Sequence, residues 1–189
     1  MKKFLSASFL IYIIIVAFAC NSKRKATEEA AAFCDTMQIE TRIMEDDPGE
    51  HPQFISDRFI NDAADAYTIQ NLREKHSDLL SLKKEPFKNM HDTSRVDTIY
   101  HFIGARDSIK FYRSKEKAFM IYLDVSSPEL GINRCIRPGL SKERFRTIFQ
   151  LPQATGNVVR ISNVDGTLVF IFYFRDNQLK RIESDIYFG

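Results

Sequence analysis

Hydrophobic positions along the chain change period several times, and each change predicts an element. Residues 9–20 carry no polar group except the Tyr12 hydroxyl. Ala30, Phe33, Cys34, Met37, Thr41 and Met44 then follow helical spacing, with Thr27 as cap and Glu28 and Glu29 in the first turn, where carboxylates suit the helix dipole. Pro48-Gly49 ends that segment. Residues 54–82 are again mainly helical, with Phe59, Ala63, Ala66, Ile69 and Leu72 as the buried positions. Residues 83–95 are polar and contain Pro86, which predicts a loop. From Val96 the period becomes two: Ile99, His101 and Ile103 alternate with Tyr100 and Phe102. Turns at 104–107 and 114–117 separate this strand from one at 108–113 and another in which Phe119, Ile121, Leu123 and Val125 mark the apolar face.

A second helix followed by strands begins at Ser141, placed to cap a helix from Lys142, with Leu140 and Phe145 in the positions of a hydrophobic staple. Phe145, Ile148 and Phe149 form its apolar face and Pro152 stops it. Strands are predicted at 158–163, 168–174 and 179–188. Asp165-Gly166 is a strong hairpin signal between the first two, and Asp176-Asn177 turns the second into the third. Residues 169–174 are apolar on both faces, as in a central strand covered on both sides. The two helix-then-strand stretches look like a repeat: Ser108-Ile109-Lys110-Phe111 matches Thr167-Leu168-Val169-Phe170, and Thr68 aligns with Ser141.

Residues 9–20 make a helix of about 18 Å, short of a hydrocarbon core of roughly 30 Å. With Lys2 and Lys3 before it and Ala17-Phe18-Ala19-Cys20 after it, the segment reads as a secretory signal peptide. The boundary resembles the lipobox of bacterial lipoproteins, which implies acylation of Cys20 as the mature N-terminus. The competing reading is an uncleaved signal anchor, favoured by the basic run Lys23-Arg24-Lys25. The expectation is a cell-envelope protein: an outer-membrane lipoprotein facing the periplasm, or a surface lipoprotein where the cell is not Gram-negative. Without Lys2 and Lys3 the 27 basic residues become 25, equal to the 25 acidic ones. A neutral chain lacks the basic footprint of non-specific nucleic-acid binding. In an oxidising compartment Cys34 and Cys135 form an even pair, open to either a disulfide or two buried thiols.

No Gly-rich phosphate loop, Cys-x-x-Cys, His-Glu-x-x-His or nucleophile elbow is present. His91-Asp92 and His101 match no familiar metal spacing, so neither metal nor cofactor is expected.

The run Ile136-Arg137-Pro138-Gly139-Leu140-Ser141-Lys142-Glu143-Arg144-Phe145, ending in Leu151-Pro152, with Asp176-Asn177-Gln178-Leu179 at the last turn, resembles the β-lactamase-inhibitor-protein-like (BLIP-like) fold. That fold includes the small BamE (SmpA/OmlA) outer-membrane lipoproteins. Gln150 stands where those families commonly have Gly. The resemblance covers residues 136–189, and the repeat extends it to about 55–189. It implies an α+β fold of two tandem helix-plus-antiparallel-sheet units, helices on one face of each sheet, preceded by the N-terminal helix. The expected organisation is a signal peptide at 1–19, a lipidated tether at 20–26, helix and linker at 27–52, a first unit at 53–130 and a second at 131–189.

Alternation then assigns a mixed face to the two sheets: Met120, Tyr122 and Asp124 in one, Arg181, Glu183, Asp185 and Tyr187 in the other. Side by side, the sheets would carry these residues on one surface, with Tyr122 and Tyr187 as anchors. The function expected is a non-enzymatic, lipid-anchored, periplasmic module that binds a protein partner. The BamE resemblance implies, as an alternative, an accessory role in outer-membrane β-barrel assembly. A periplasmic hydrolase is a third reading and requires His91, His101 or Asp92 to converge in a deep pocket.

Overall fold

A computed structural model of the chain describes residues 34, 37–43, 53–89, 92 and 94–186. It groups into two units, Met1–Met37 and Gln38–Gly189. In the first, the Met37 amide donates to the Cys34 carbonyl at 3.3 Å. Cys20, the signal segment and the tether lie outside the described residues, as do His51, His91 and Tyr187.

The second unit is built on one nine-stranded sheet. In chain order its elements are β1 (Arg42–Ile43), β2 (Gln53–Ile55), α1 (Asp57–Ala66), α2 (Ile69–Lys75), β3 (Ser81–Lys88), β4 (Val96–Ile103), β5 (Ser108–Arg113) and β6 (Ala118–Val125). A 3-10 turn at Pro128–Leu130, α3 (Lys142–Ile148), β7 (Val158–Ser162), β8 (Leu168–Arg175) and β9 (Gln178–Ile186) complete it. The strand order is β1-β2-β7-β8-β9-β6-β5-β4-β3. Only β2 and β7 run parallel among these neighbours.

This corrects the expectation of two tandem helix-plus-sheet units behind an N-terminal helix. The last strands of the two stretches, β6 and β9, pair antiparallel with Asp124 opposite Glu183, so the ladder runs unbroken from one into the other. Nor does each stretch cover its own strands. Phe59 of α1 packs edge-on against Phe149, the residue that caps the end of α3, at 4.9 Å and against Phe170 of β8 at 5.8 Å. β2, which precedes α1, pairs with β7. Burial thus ties the start of the unit to its final strands. The helix expected through Met44 has ended by Met37: residues 37–41 are irregular and Arg42–Ile43 is a strand. There the Ile39 amide donates to the Ile148 carbonyl at 2.6 Å and the Thr41 hydroxyl to the Phe149 carbonyl at 2.7 Å. These bonds satisfy the orphan carbonyls at the end of α3 at the cost of local helix.

β3 takes in residues 83–88, the first part of the segment expected to be a loop. It is an edge strand, which accounts for both Pro86 and the lysines: an edge tolerates a residue without N–H, and charge there discourages pairing with another chain. The cap expected at Ser141 forms, and Thr68, which aligns with it in the repeat, caps α2. Thr68 accepts from the Asn71 amide at 3.1 Å, and Ser141 from the Arg144 amide at 3.2 Å. Gln150 has φ of 52°, the left-handed conformation that glycine adopts most easily. Asp176 and Asn177, at φ 53° and 56°, form the tight hairpin into β9.

One face of the sheet, through Phe54, Ile109, Phe111, Leu123, Val159, Phe170, Phe172 and Ile182, is almost wholly buried and holds the aromatic core beneath α1 and α3. Buried Asp107 ties β5 to the chain after β6, accepting from the Ser126 and Ser127 amides at 2.8 and 3.0 Å and from the Ser127 hydroxyl at 2.6 Å. Cys34 and Cys135 are both disulfide-bonded, which decides against free thiols.

Candidate binding face

Cross-strand partners share a face, so the pairings identify what lies opposite the core. Across β6 and β9 these are Tyr122, Asp124, Arg181, Glu183 and Asp185; across β3, β4 and β5 they are Glu85, Ile99, His101, Lys110 and Tyr112. Tyr122, Asp124, Arg181 and Glu183 are half-buried and Asp185 is exposed. Sequence alternation therefore placed these five on one surface. It misplaced Met120, which is buried at 8% exposure on the core side opposite Phe111. The cause is a register shift in the β5–β6 pairing: Lys110 pairs with Tyr122 and Phe111 with Met120, leaving Ile121 as an extra residue. That bulge sends Phe119, paired with Tyr112, to the opposite face from Leu123.

The charged residues form a braced cluster. Asp124 and Glu183 stand directly opposite each other, an arrangement of like charges that costs energy unless neutralised. Arg181 neutralises it. Its Nε and Nη2 donate to the two Asp124 carboxylate oxygens at 2.7 and 2.9 Å, and Nη2 also donates to Glu183. The bond to Asp124 is the main reason the Arg181 guanidinium holds its proton even more firmly than usual. The guanidinium also lies over the Tyr173 ring, 5.4 Å from its centre. Burial, then the hydrogen bond with Glu183, pushes the Tyr173 hydroxyl up to about 12. Burial and the nearby Asp124 and Glu183 charges raise Tyr122 as well. Both phenols therefore stay neutral at physiological pH, and Arg181 holds their surroundings rigid.

Beside this cluster the same face turns apolar. Phe87, Ile99, Tyr112, Phe119 and Ile121 line a groove of about 720 Å3. Tyr112 stacks at a tilt on Phe119 at 5.2 Å and meets Phe87 edge-on at 6.0 Å. Its hydroxyl and the Asn89 amide, the latter at 2.6 Å, both donate to the same oxygen of the buried Asp97 carboxylate. That bond raises the Tyr112 pKa. The sequence reading missed this groove for two reasons. Phe87 sits in the strand taken for a loop, and Phe119 and Ile121 were assigned to the core. Asp97, two positions before Ile99 on one side of β4, was the visible signal.

Of the three residues named for a hydrolase, the described ones, Asp92 and His101, have different partners. Asp92 accepts from the Ser94 amide and hydroxyl and pairs with Arg95 at 2.9 Å. His101 hydrogen-bonds Ser108 through Nε2 at 2.9 Å. Among the described residues no carboxylate bonds the other ring nitrogen, and neither His101 nor Ser108 lines the apolar groove. Among those residues no group of three His, Cys, Asp or Glu side chains is placed to hold a metal ion. Burial, followed by the Lys110 charge, lowers the His101 pKa below 6.5. Its ring protons should titrate by NMR with a midpoint under that value; a midpoint above it contradicts the burial. The unfolded chain then binds more protons than the folded one as pH falls below about 6.5, so His101 lowers stability on the acid side and contributes nothing above that pH.

The chain matches no protein-family model, no curated protein and no solved structure.

Proposed function

We propose that this chain is a lipid-anchored, extracytoplasmic protein that binds a polypeptide partner on the sheet face opposite its helices, without catalysing a reaction on it. The observation that carries the reading is the Tyr122–Asp124–Arg181–Glu183 cluster. Half-exposed aromatic rings and a bidentate arginine, locked in place before any partner arrives, supply contact area at small entropic cost. The basic segment, apolar run and Ala17-Phe18-Ala19-Cys20 boundary support export and acylation. Two disulfide-bonded cysteines suit an oxidising compartment. Acyl chains on Cys20 would hold the face near a membrane surface.

The test is capture of partners from detergent-solubilised envelope, comparing the native chain with Tyr122→Ala. An anchor tyrosine removed from a binding surface costs about 2 kcal/mol, roughly a thirtyfold loss of affinity. Folding should change by only about 0.5 kcal/mol, since the residue lies off the core. Equal capture by both proteins contradicts the reading, and so does unfolding of the variant, which would make Tyr122 a core residue.

A further inference from the structure

The open face is sorted by charge, and this points to its partner more closely. At the β6–β9 end, Asp124, Glu183 and Asp185 outnumber Arg181 and Arg160. At the other end the unbalanced charge is positive. Lys110 lies 5.7 Å from the Tyr122 ring centre and Lys117 5.7 Å from that of Phe119. Lys115 and Lys117 rim the apolar groove on the turn between β5 and β6, with Glu116 between them. Among the described residues none of these three lysines has a carboxylate within 4.0 Å, whereas Lys83 is paired with Glu85 and Arg95 with Asp92. Asp97, the carboxylate within the groove, is 6% exposed and is occupied by Tyr112 and Asn89, so it presents little negative charge to a visitor.

We propose that this groove docks an acidic peptide segment carrying a bulky apolar side chain, a proposal that rests on the binding reading above. The apolar side chain lies against Phe87, Ile99, Tyr112, Phe119 and Ile121, and flanking carboxylates meet Lys115 and Lys117. Two features of the groove favour this occupant. Phe87 leaves 39% of its surface in water, an apolar edge that docking would cover. Lys117 already rests over the Phe119 ring, where its stem stays on apolar surface and its charge remains available. A basic segment would meet the same lysines as like charges, which selects against it.

The test uses the full chain in detergent and two short labelled peptides that share a Phe-Leu-Phe centre, one flanked by Asp and Glu, the other by Lys. Fluorescence anisotropy should show the acidic peptide binding at least about tenfold more tightly at low salt, with the preference fading as salt is added. The Lys115→Glu, Lys117→Glu double variant, altered only on an exposed turn, should lose that preference. Phe87→Ser, at the exposed edge, should weaken the acidic peptide about tenfold while leaving the salt dependence in place. Equal affinities for the two peptides, or an acidic-peptide affinity unmoved by the charge reversal, overturns the proposal. If that happens while capture of a partner still depends on Tyr122, the groove assignment fails alone and the binding face stands. Loss of the Tyr122 dependence with peptide binding intact has the opposite meaning.

Discussion

Replacing Phe172 with alanine is expected to remove about 3–5 kcal/mol of stability, the usual cost of truncating a fully buried aromatic side chain. Phe172 is 0% exposed and its ring lies 4.8 Å from Phe145, 6.0 Å from Phe59 and 6.1 Å from Phe149. The substitution therefore opens a cavity at the point where α1, α3 and β8 meet, and no neighbouring chain can collapse into it without moving a helix. Against a total stability of about 5–15 kcal/mol this is a large fraction. Urea denaturation followed by far-ultraviolet circular dichroism measures it. Phe87→Ala, at the exposed strand edge, is the matched control and should cost less than about 1 kcal/mol. Similar losses at the two positions would mean that the aromatic core is not where the fold places it.

Reduction of the disulfide-bonded cysteines carries an effect of comparable size. A native disulfide in a small extracytoplasmic domain typically contributes about 2–5 kcal/mol, in one account by restricting the unfolded chain. Cys135 is 4% exposed and lies where the Asn133 carboxamide accepts from the Cys135 and Ile136 amides, both at 2.8 Å. That loop is closely packed. A Cβ on Gly131 would come within 2.2 Å of the Arg137 Cβ, so the chain passes there only as glycine. Adding reductant should lower the urea midpoint of the native chain and leave a Cys135→Ser variant unchanged. A native chain indifferent to reductant would contradict the bonded state.

How much of this could be read from the sequence depended on whether local pattern or distant pairing decided the outcome. Strands β4, β5 and β8 were legible because one face of each is buried, which forces alternation or, in β8, apolar residues on both faces. Val169 and Ile171 are indeed buried opposite the core as well as Phe170 and Phe172 within it. The cap at Ser141 was legible because its hydrogen bond is local. β3 was not, because an edge strand exposes Lys83, Lys84 and Lys88 and no buried face imposes a period. β2 is three residues long and owes its conformation to β7, more than a hundred positions away. The bulge at Ile121 inserts one residue without changing composition, and that alone exchanged Met120 with Phe119 and Ile121 between the two faces. For the same reason the charged cluster was foreseen but the apolar groove beside it was not. The joining of β6 to β9 into a continuous ladder is a long-range pairing that merges what repeated local patterns suggest are separate units.

Arg181 links fold and function in this account. Without its guanidinium, Asp124 and Glu183 would face each other across a ladder position with no cation between them, and Tyr173 would lose the charge that rests on its ring. The cluster thus stabilises the seam of the sheet while holding the proposed contact residues still.

The central claim is that partners meet the face opposite the helices. The most direct measurement places a photo-crosslinking amino acid at position 122 on that face, or at position 73, an exposed site on α2, in the chain expressed in its native cells. The account predicts a discrete adduct with another polypeptide from position 122 and none from position 73. An adduct from position 73 with none from position 122, or the same adducts from both, would contradict it.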